Sequence, residues 1–154
     1  MTDNIYQPPA SELIDNTNQI KIYSPNQIAA GSFWGGSIAA FYFLYRNYVS
    51  LGNDHYARTT IYIGSIVTIL IFAIIPFLPD SFPNLILPLS YTVAAQQICI
   101  STQLTKEDIQ TSNDYTFASN WKVFGIGLFT LMLSLAIIIV LLLSLESFGM
   151  ISLE

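Results

Sequence analysis

From Leu128 to Leu143 only Thr130 and Ser134 interrupt an otherwise apolar run, and three other stretches of the chain are nearly as oily. Runs of this kind need lipid around them, because about 20 consecutive apolar residues carry an α-helix across roughly 30 Å of hydrocarbon. The charge count agrees. Hydrophobic residues make up 53% of the chain and charged residues 10%, against about 25% charged in ordinary soluble domains. Five Lys/Arg and ten Asp/Glu are too few to solvate a 154-residue globule. A soluble α/β enzyme, a nucleic-acid binder with a basic face and a disordered tail protein are thereby excluded. The single cysteine, Cys99, excludes an intramolecular disulfide framework and a Cys-cluster zinc site.

A transmembrane barrel does not fit either, since its strands are about ten residues long and alternate in polarity. The expected fold is an all-α integral membrane protein. A polar, loosely ordered tail over residues 1–23 precedes a four-helix transmembrane bundle over residues 24–154. The tail has no basic segment followed by an apolar run, so it does not read as a secretory leader. Ile20 to Tyr23 could dock as a short extended piece. Spans are expected at about 27–48, 56–78, 83–104 and 121–145. Ser24-Pro25-Asn26-Gln27 supplies a capping box with proline at the first helical position. Thr105-Lys106-Glu107-Asp108 can open a short surface helix in the last polar connection.

Basic residues set orientation. With four crossings, Arg46, Arg58, Lys106 and Lys122 share one side, and Lys21 stands alone on the other with both termini. Four bases against one place the two polar loops in the cytoplasm and both termini outside. The acidic residues Asp3, Glu12, Asp15, Asp80, Glu146 and Glu154 then also lie outside.

The first span has two unlike faces. Gly31, Ser32, Gly35, Gly36, Ala39 and Ala40 fall on one half, and Phe33, Trp34, Phe41 and Leu44 on the other. Small residues spaced by four let two backbones approach closely. The first reading is packing within the chain; the alternative is a docking groove for a membrane protein partner or a second copy. Thr60, Gly64 and Thr68 repeat the spacing on the second span and are expected to face the first. The third span carries Ser90, Gln97 and Ser101 on one side and Thr92, Gln96 and Gln103 on the other. Unsatisfied amides cost several kcal/mol in hydrocarbon, so this helix is expected to sit centrally. Gln96 and Gln97 would bond neighbouring helices or, alternatively, line a polar cavity or bind a partner.

Absences are as informative. At bilayer depth the spans carry no Asp, Glu, Lys, Arg or His, the residues that proton relays and ion-coupled transport nearly always leave there. His55 reads as a surface loop residue and Cys99 as an inert packing residue. No phosphate-binding loop, zinc-binding His pair or nucleophile elbow appears. No cofactor, catalytic residue or nucleic-acid partner is expected.

Tyr23-Ser24-Pro25-Asn26-Gln27-Ile28, Phe33-Trp34-Gly35-Gly36, Asn47-Tyr48 and Leu51-Gly52 resemble a pattern in small bacterial polytopic membrane proteins of uncharacterised function. The resemblance covers mainly residues 23–52 and implies a bacterial inner-membrane home. That pattern has a short hydrophobic residue where Trp34 stands and proline where Ser37 stands, departures that speak against a broken first helix here. The leading expectation is a non-enzymatic accessory or regulatory subunit acting through helix packing. The alternatives are an immunity protein against a membrane-active toxin and a small channel or carrier lined by the third span.

Overall fold

The computed structural model describes residues 19–79 and 81–150. Most of the tail expected over residues 1–23 lies outside these. The elements in order are β1 (Ile20–Ile22), α1 (Pro25–Ser50), α2 (Asp54–Ile74), α3 (Ile86–Thr102), α4 (Lys106–Thr111), β2 (Tyr115–Phe117) and α5 (Asn120–Ser147). A 3-10 turn, Ile75–Phe77, prolongs α2. By length and hydropathy, three helices suffice to cross a membrane: Pro25–Ser50, Asp54–Phe77 and Asn120–Ser147.

Both capping boxes form as their residues dictate. The Ser24 hydroxyl accepts from the Gln27 N–H at 3.3 Å, and the Gln27 side chain accepts from the Ser24 N–H at 3.0 Å. Thr105 and Asp108 repeat the exchange at the start of α4. The end of the tail is ordered rather than loose. β1 pairs in parallel with β2, Ile20 opposite Tyr115 and Ile22 opposite Phe117, and Ile22 and Tyr23 are buried.

The first span departs from expectation. Residues 27–48 were expected to form one straight helix; α1 instead breaks at Gly36, where φ is +77° and ψ is −167°. Only glycine enters that backbone region without strain. The chain reverses there, so residues 25–35 and 37–50 form two limbs of a hairpin. The Tyr23 N–H donates to Asn47 Oδ1 at 2.9 Å, and Asn47 Nδ2 donates back to the Tyr23 carbonyl at 2.8 Å. In an unbroken helix those residues would stand about 36 Å apart, at about 1.5 Å per residue. The Tyr23 and Phe43 rings meet edge to face at 4.8 Å. Proline is not needed for the break. Ser37 begins the returning limb.

A four-span bundle is not confirmed: three helices are long and apolar enough to cross a membrane, and the first of them is broken at Gly36. α1 doubles back at Gly36 while packed against α2, α3 and α5. Its limbs are roughly 16 and 21 Å long at about 1.5 Å per residue. As a result β1 and β2 lead side by side into α1 and α5, and the first limb of α1 runs parallel to α5. A Cβ on Gly31 would crowd Val123, and one on Gly36 would lie 3.7 Å from Ser134 Oγ.

Centrality also moves. α1, not α3, is the middle of the molecule, packed against α2, α3 and α5. α3 presents one face to α1 through Thr92, Ala95 and Cys99, while Val93, Gln97 and Ile100 remain exposed. The polar residues of α3 do not force it inward, because its serines bond their own helix. Ser90 Oγ donates to the Ile86 carbonyl at 2.7 Å and Ser101 Oγ to the Gln97 carbonyl at 2.8 Å. As expected, α2 turns Gly64 toward α1, where a Cβ would strike the Phe41 ring.

Candidate functional site

The small-residue face of α1 is spent inside the chain. A Cβ on Gly31 would collide with the Phe43 ring of the returning limb, and one on Gly35 with Thr130 Oγ and Gly127 Cα of α5. Gly127 in turn brings its Cα side to the Gly31 carbonyl, 3.3 Å from where its own Cβ would stand. Ser32, Ala39 and Ala40 are buried. Gly36 is the exception in kind, since it serves the reversal rather than the contact. Gln96 reaches the start of α1, donating to Asn26 Oδ1 at 3.1 Å. Gln97 lies on the exposed face of α3, away from the other candidates. The structure thus gathers Gly31, Ser32, Gly35, Gly36, Ala39 and Ala40 in the hairpin and leaves Gln96 and Gln97 apart from it.

Two polar assemblies that the sequence did not single out emerge from the reversal. The first is a clamp centred on Asn47, which has no exposed surface. Besides its two bonds with Tyr23, Asn47 Nδ2 donates to Gln103 Oε1 at 2.9 Å, and Gln103 Nε2 donates to the Leu44 carbonyl at 3.0 Å. The Tyr48 hydroxyl and Thr102 Oγ1 share a bond of 2.6 Å. Together these groups tie the entry of α1, its exit and the end of α3 into one knot. Cys99 is buried beside it. His55 is exposed at the start of α2, with its ring edge against Tyr56.

The second assembly lies beneath the turn. A cavity of about 650 Å³ opens below Gly36, walled by Phe33 and Ser37 of α1 and by Phe72 and Ile75 at the end of α2. Leu87 and Tyr91 of α3 and Ser134 and Ile138 of α5 complete it. Pro79, Phe82 and Asn84 also line it. Its wall is largely apolar, and among the described residues no Asp, Glu, Lys, Arg or His lines it.

Ser37 and Ser134 lie along this cavity. Their hydroxyl oxygens, like those of Ser32 and Thr92 elsewhere, are buried and have no hydrogen-bond partner among the described residues. Two other hydroxyls of α5 are satisfied locally: Thr130 Oγ1 donates to the Ile126 carbonyl at 2.9 Å and Ser144 Oγ to the Val140 carbonyl at 2.7 Å. A buried hydroxyl without a partner costs about 1–3 kcal/mol.

Sequence reading missed Ser37 and Ser134 as a pair because nothing in their spacing connects them. The available signals were weak: Ser134 breaks the most apolar run, and Ser37 follows two glycines. No protein-family model, curated protein or solved structure matches this chain.

Proposed function

We propose that the chain is a multi-pass membrane protein of the bacterial inner membrane that handles a small solute, as a channel or carrier component, and does no catalysis. It crosses the bilayer three times, through α2, α3 and α5, with α1 as a re-entrant hairpin. The observation that carries this reading is the reversal at Gly36 above a cavity of about 650 Å³. Irregular backbone at membrane depth is tolerated where protein or a water-filled cavity surrounds it, and this turn has both.

The hairpin also changes the charge argument. With α1 returning to its starting side, Lys21, Arg46, Arg58, Lys106 and Lys122 all fall at one end. Five bases against none make that end cytoplasmic. The N-terminal strand then lies in the cytoplasm and the end of α5 outside, in place of two external termini. The cavity opens outward.

An accessory role through helix packing keeps less support, since α5 and the returning limb occupy the glycine face on which it rested. The exposed Gln97 on α3 is the surface feature that still favours a partner or a second copy. The immunity role rested on small size and an acidic outer side, and the geometry adds nothing to it.

Single cysteines in a Cys99→Ala background test the proposal. Asn84→Cys and Ser37→Cys should react with an impermeant thiol reagent from the outer face of oriented vesicles, and Lys106→Cys only from the inner face. Labelling of Asn84→Cys and Lys106→Cys from one side would refute the three-crossing arrangement. An inert Ser37→Cys beside a reactive Asn84→Cys would show that the cavity stops short of the turn. Gln97→Leu, remote from the cavity, should change none of these rates.

A further inference from the structure

A groove runs between the first limb of α1 and the start of α5, and we infer that it seats a phospholipid with a net negative headgroup, one acyl chain along the groove and the phosphate at its polar mouth. This inference rests on the three-crossing arrangement above and not on solute handling.

Three observations carry it. The first is shape. The groove holds about 420 Å³. The buried Gly31 and Gly127 give it a floor without side chains, and the exposed Trp34, Phe124 and Leu128 flank it. Asn26, Gln27 and Asn120 line one end, so polarity is confined to where the two helices begin. From Asn120 to Leu131, the far end of the lining, α5 rises by about 16 Å at about 1.5 Å per residue. That is about half of the roughly 30 Å of hydrocarbon in a bilayer. A groove polar at the membrane surface and apolar for the depth of one leaflet has the profile of a lipid. A partner helix would cross both leaflets.

The second is the hydrogen bonding of the mouth. The Ser24 N–H donates to Gln27 Oε1 at 3.0 Å, which obliges Gln27 Nε2 to act as a donor. It donates to the Ala118 carbonyl and to Asn120 Oδ1, both at 2.6 Å. Asn120 therefore turns its oxygen to Gln27, and its Nδ2 donates to none of the described residues. Asn26 likewise accepts from Gln96 through Oδ1. Both asparagines are exposed, so the mouth offers two amide donors whose acceptor ends are already engaged.

The third is charge. Two parallel helix starts, each equivalent to about half a positive elementary charge, lie together there. Neither first turn contains an acid, and Ser119 makes no side-chain cap for α5. The N–H groups of residues 120–122 precede the first internal bond of that helix, from the Val123 N–H to the Ser119 carbonyl. Among the described residues no Asp or Glu lines the groove. Donors and positive ends together complement a phosphate.

Other occupants fit less well. A zwitterionic headgroup would bring its ammonium against the same helix starts, where a cation is disfavoured. A free anion would leave the apolar length uncovered, and there Trp34 is 64% and Phe124 58% exposed.

Lipids with brominated acyl chains, which quench tryptophan on contact, provide the test. In a Trp121→Phe background Trp34 is the one tryptophan left, and it lines the groove. With the full chain in phosphatidylcholine vesicles, brominated phosphatidylglycerol should quench Trp34 as though enriched about 5-fold beside it, the discrimination expected of two helix ends. Brominated phosphatidylcholine in the reverse mixture should quench less than its share. Asn120→Asp keeps the oxygen that Gln27 uses, replaces the free donor with a negative oxygen, and should bring the enrichment to unity or below. Ala30→Leu fills the groove from an exposed lining position and leaves the mouth intact. It should also bring the enrichment to unity, and it stands in if Asn120→Asp does not fold. Glycerol phosphate in solution, the headgroup without chains, should leave the quenching unchanged. Equal quenching by the two brominated lipids, enrichment persisting in either variant, or competition by glycerol phosphate would overturn the assignment. Thiol labelling reads the crossings separately. Three crossings without enrichment would sink the lipid site alone, whereas Asn84→Cys and Lys106→Cys labelled from one side would sink both readings.

Discussion

α1 and α5 begin alike and end differently. Each follows a three-residue strand, each starts at the same end of the molecule, and they span 26 and 28 residues. α5 runs through; α1 turns back at Gly36. Glycine content does not separate them, for α5 contains Gly125 and Gly127 and stays helical. What differs is the company each keeps. Half of the apolar window of α1 is buried and only 17% of that of α5. A helix facing lipid must satisfy its backbone within itself, whereas one enclosed by other helices can open its hydrogen-bond ladder where side chains or a polar cavity receive the freed groups. The lesson is that enclosure licenses irregularity in a membrane protein.

The largest effect that would break this comparison is at the clamp. Asn47→Leu removes the bonds to Tyr23 and Gln103 and strands buried polar groups, and should cost about 3–4 kcal/mol, read by denaturant titration in mixed micelles. No residue in α5 has a counterpart, so a loss near 1 kcal/mol would mean that the hairpin does not depend on the knot.

Next is the turn itself. Gly36→Ala places a side chain at φ +77° and should destabilise by about 2 kcal/mol. Gly125→Ala in α5 meets nothing within 4 Å and should stabilise by up to about 1 kcal/mol, the helix propensity of alanine over glycine. Similar values for both would contradict the reversal.

The starts of the two helices sharpen the contrast further. Ser24→Ala removes a formed capping box and should cost about 1 kcal/mol. Ser119→Ala at the start of α5 removes a hydroxyl that makes no capping bond, so melting temperatures should separate the two variants clearly.

The smallest effect concerns pH. Hydrogen bonds from the Thr105 hydroxyl and N–H hold the Asp108 carboxyl below its ordinary value. A depressed folded value means that the support Asp108 gives to α4 is complete above the ordinary aspartate range and lost as pH falls through the lowered value. Amide exchange in α4 should therefore rise only in acid, and Asp108→Asn should flatten that response. A change near neutrality would point to another group.

Several elements were legible before any tertiary contact was known. Ser24 and Gln27, like Thr105 and Asp108, lie three apart and interact within a single turn, so their caps follow from local geometry. The length of the apolar run from Leu128 similarly requires a long helix. The candidate face of Gly31, Gly35 and Ala39 was visible too, but what it packs on was not. The same small residues fit a straight span against another subunit and a hairpin limb against Phe43 and Gly127. Ser37 and Ser134 could not be joined at all, because they lie almost a hundred residues apart and meet only once the chain has reversed.

The sequence alone determined that this chain is helical, apolar and suited to lipid, and where its local caps begin, because periodicity, hydropathy and capping act over a few residues. Tertiary structure decided that α1 reverses and that all five basic residues share one end. It also decided that two serines lie along a common cavity. A glycine permits a positive φ but does not require one. Only the bonds between Tyr23, Asn47 and Gln103, together with the close packing of Gly31 and Gly35 on α5, make the reversed chain lower in free energy than the straight one.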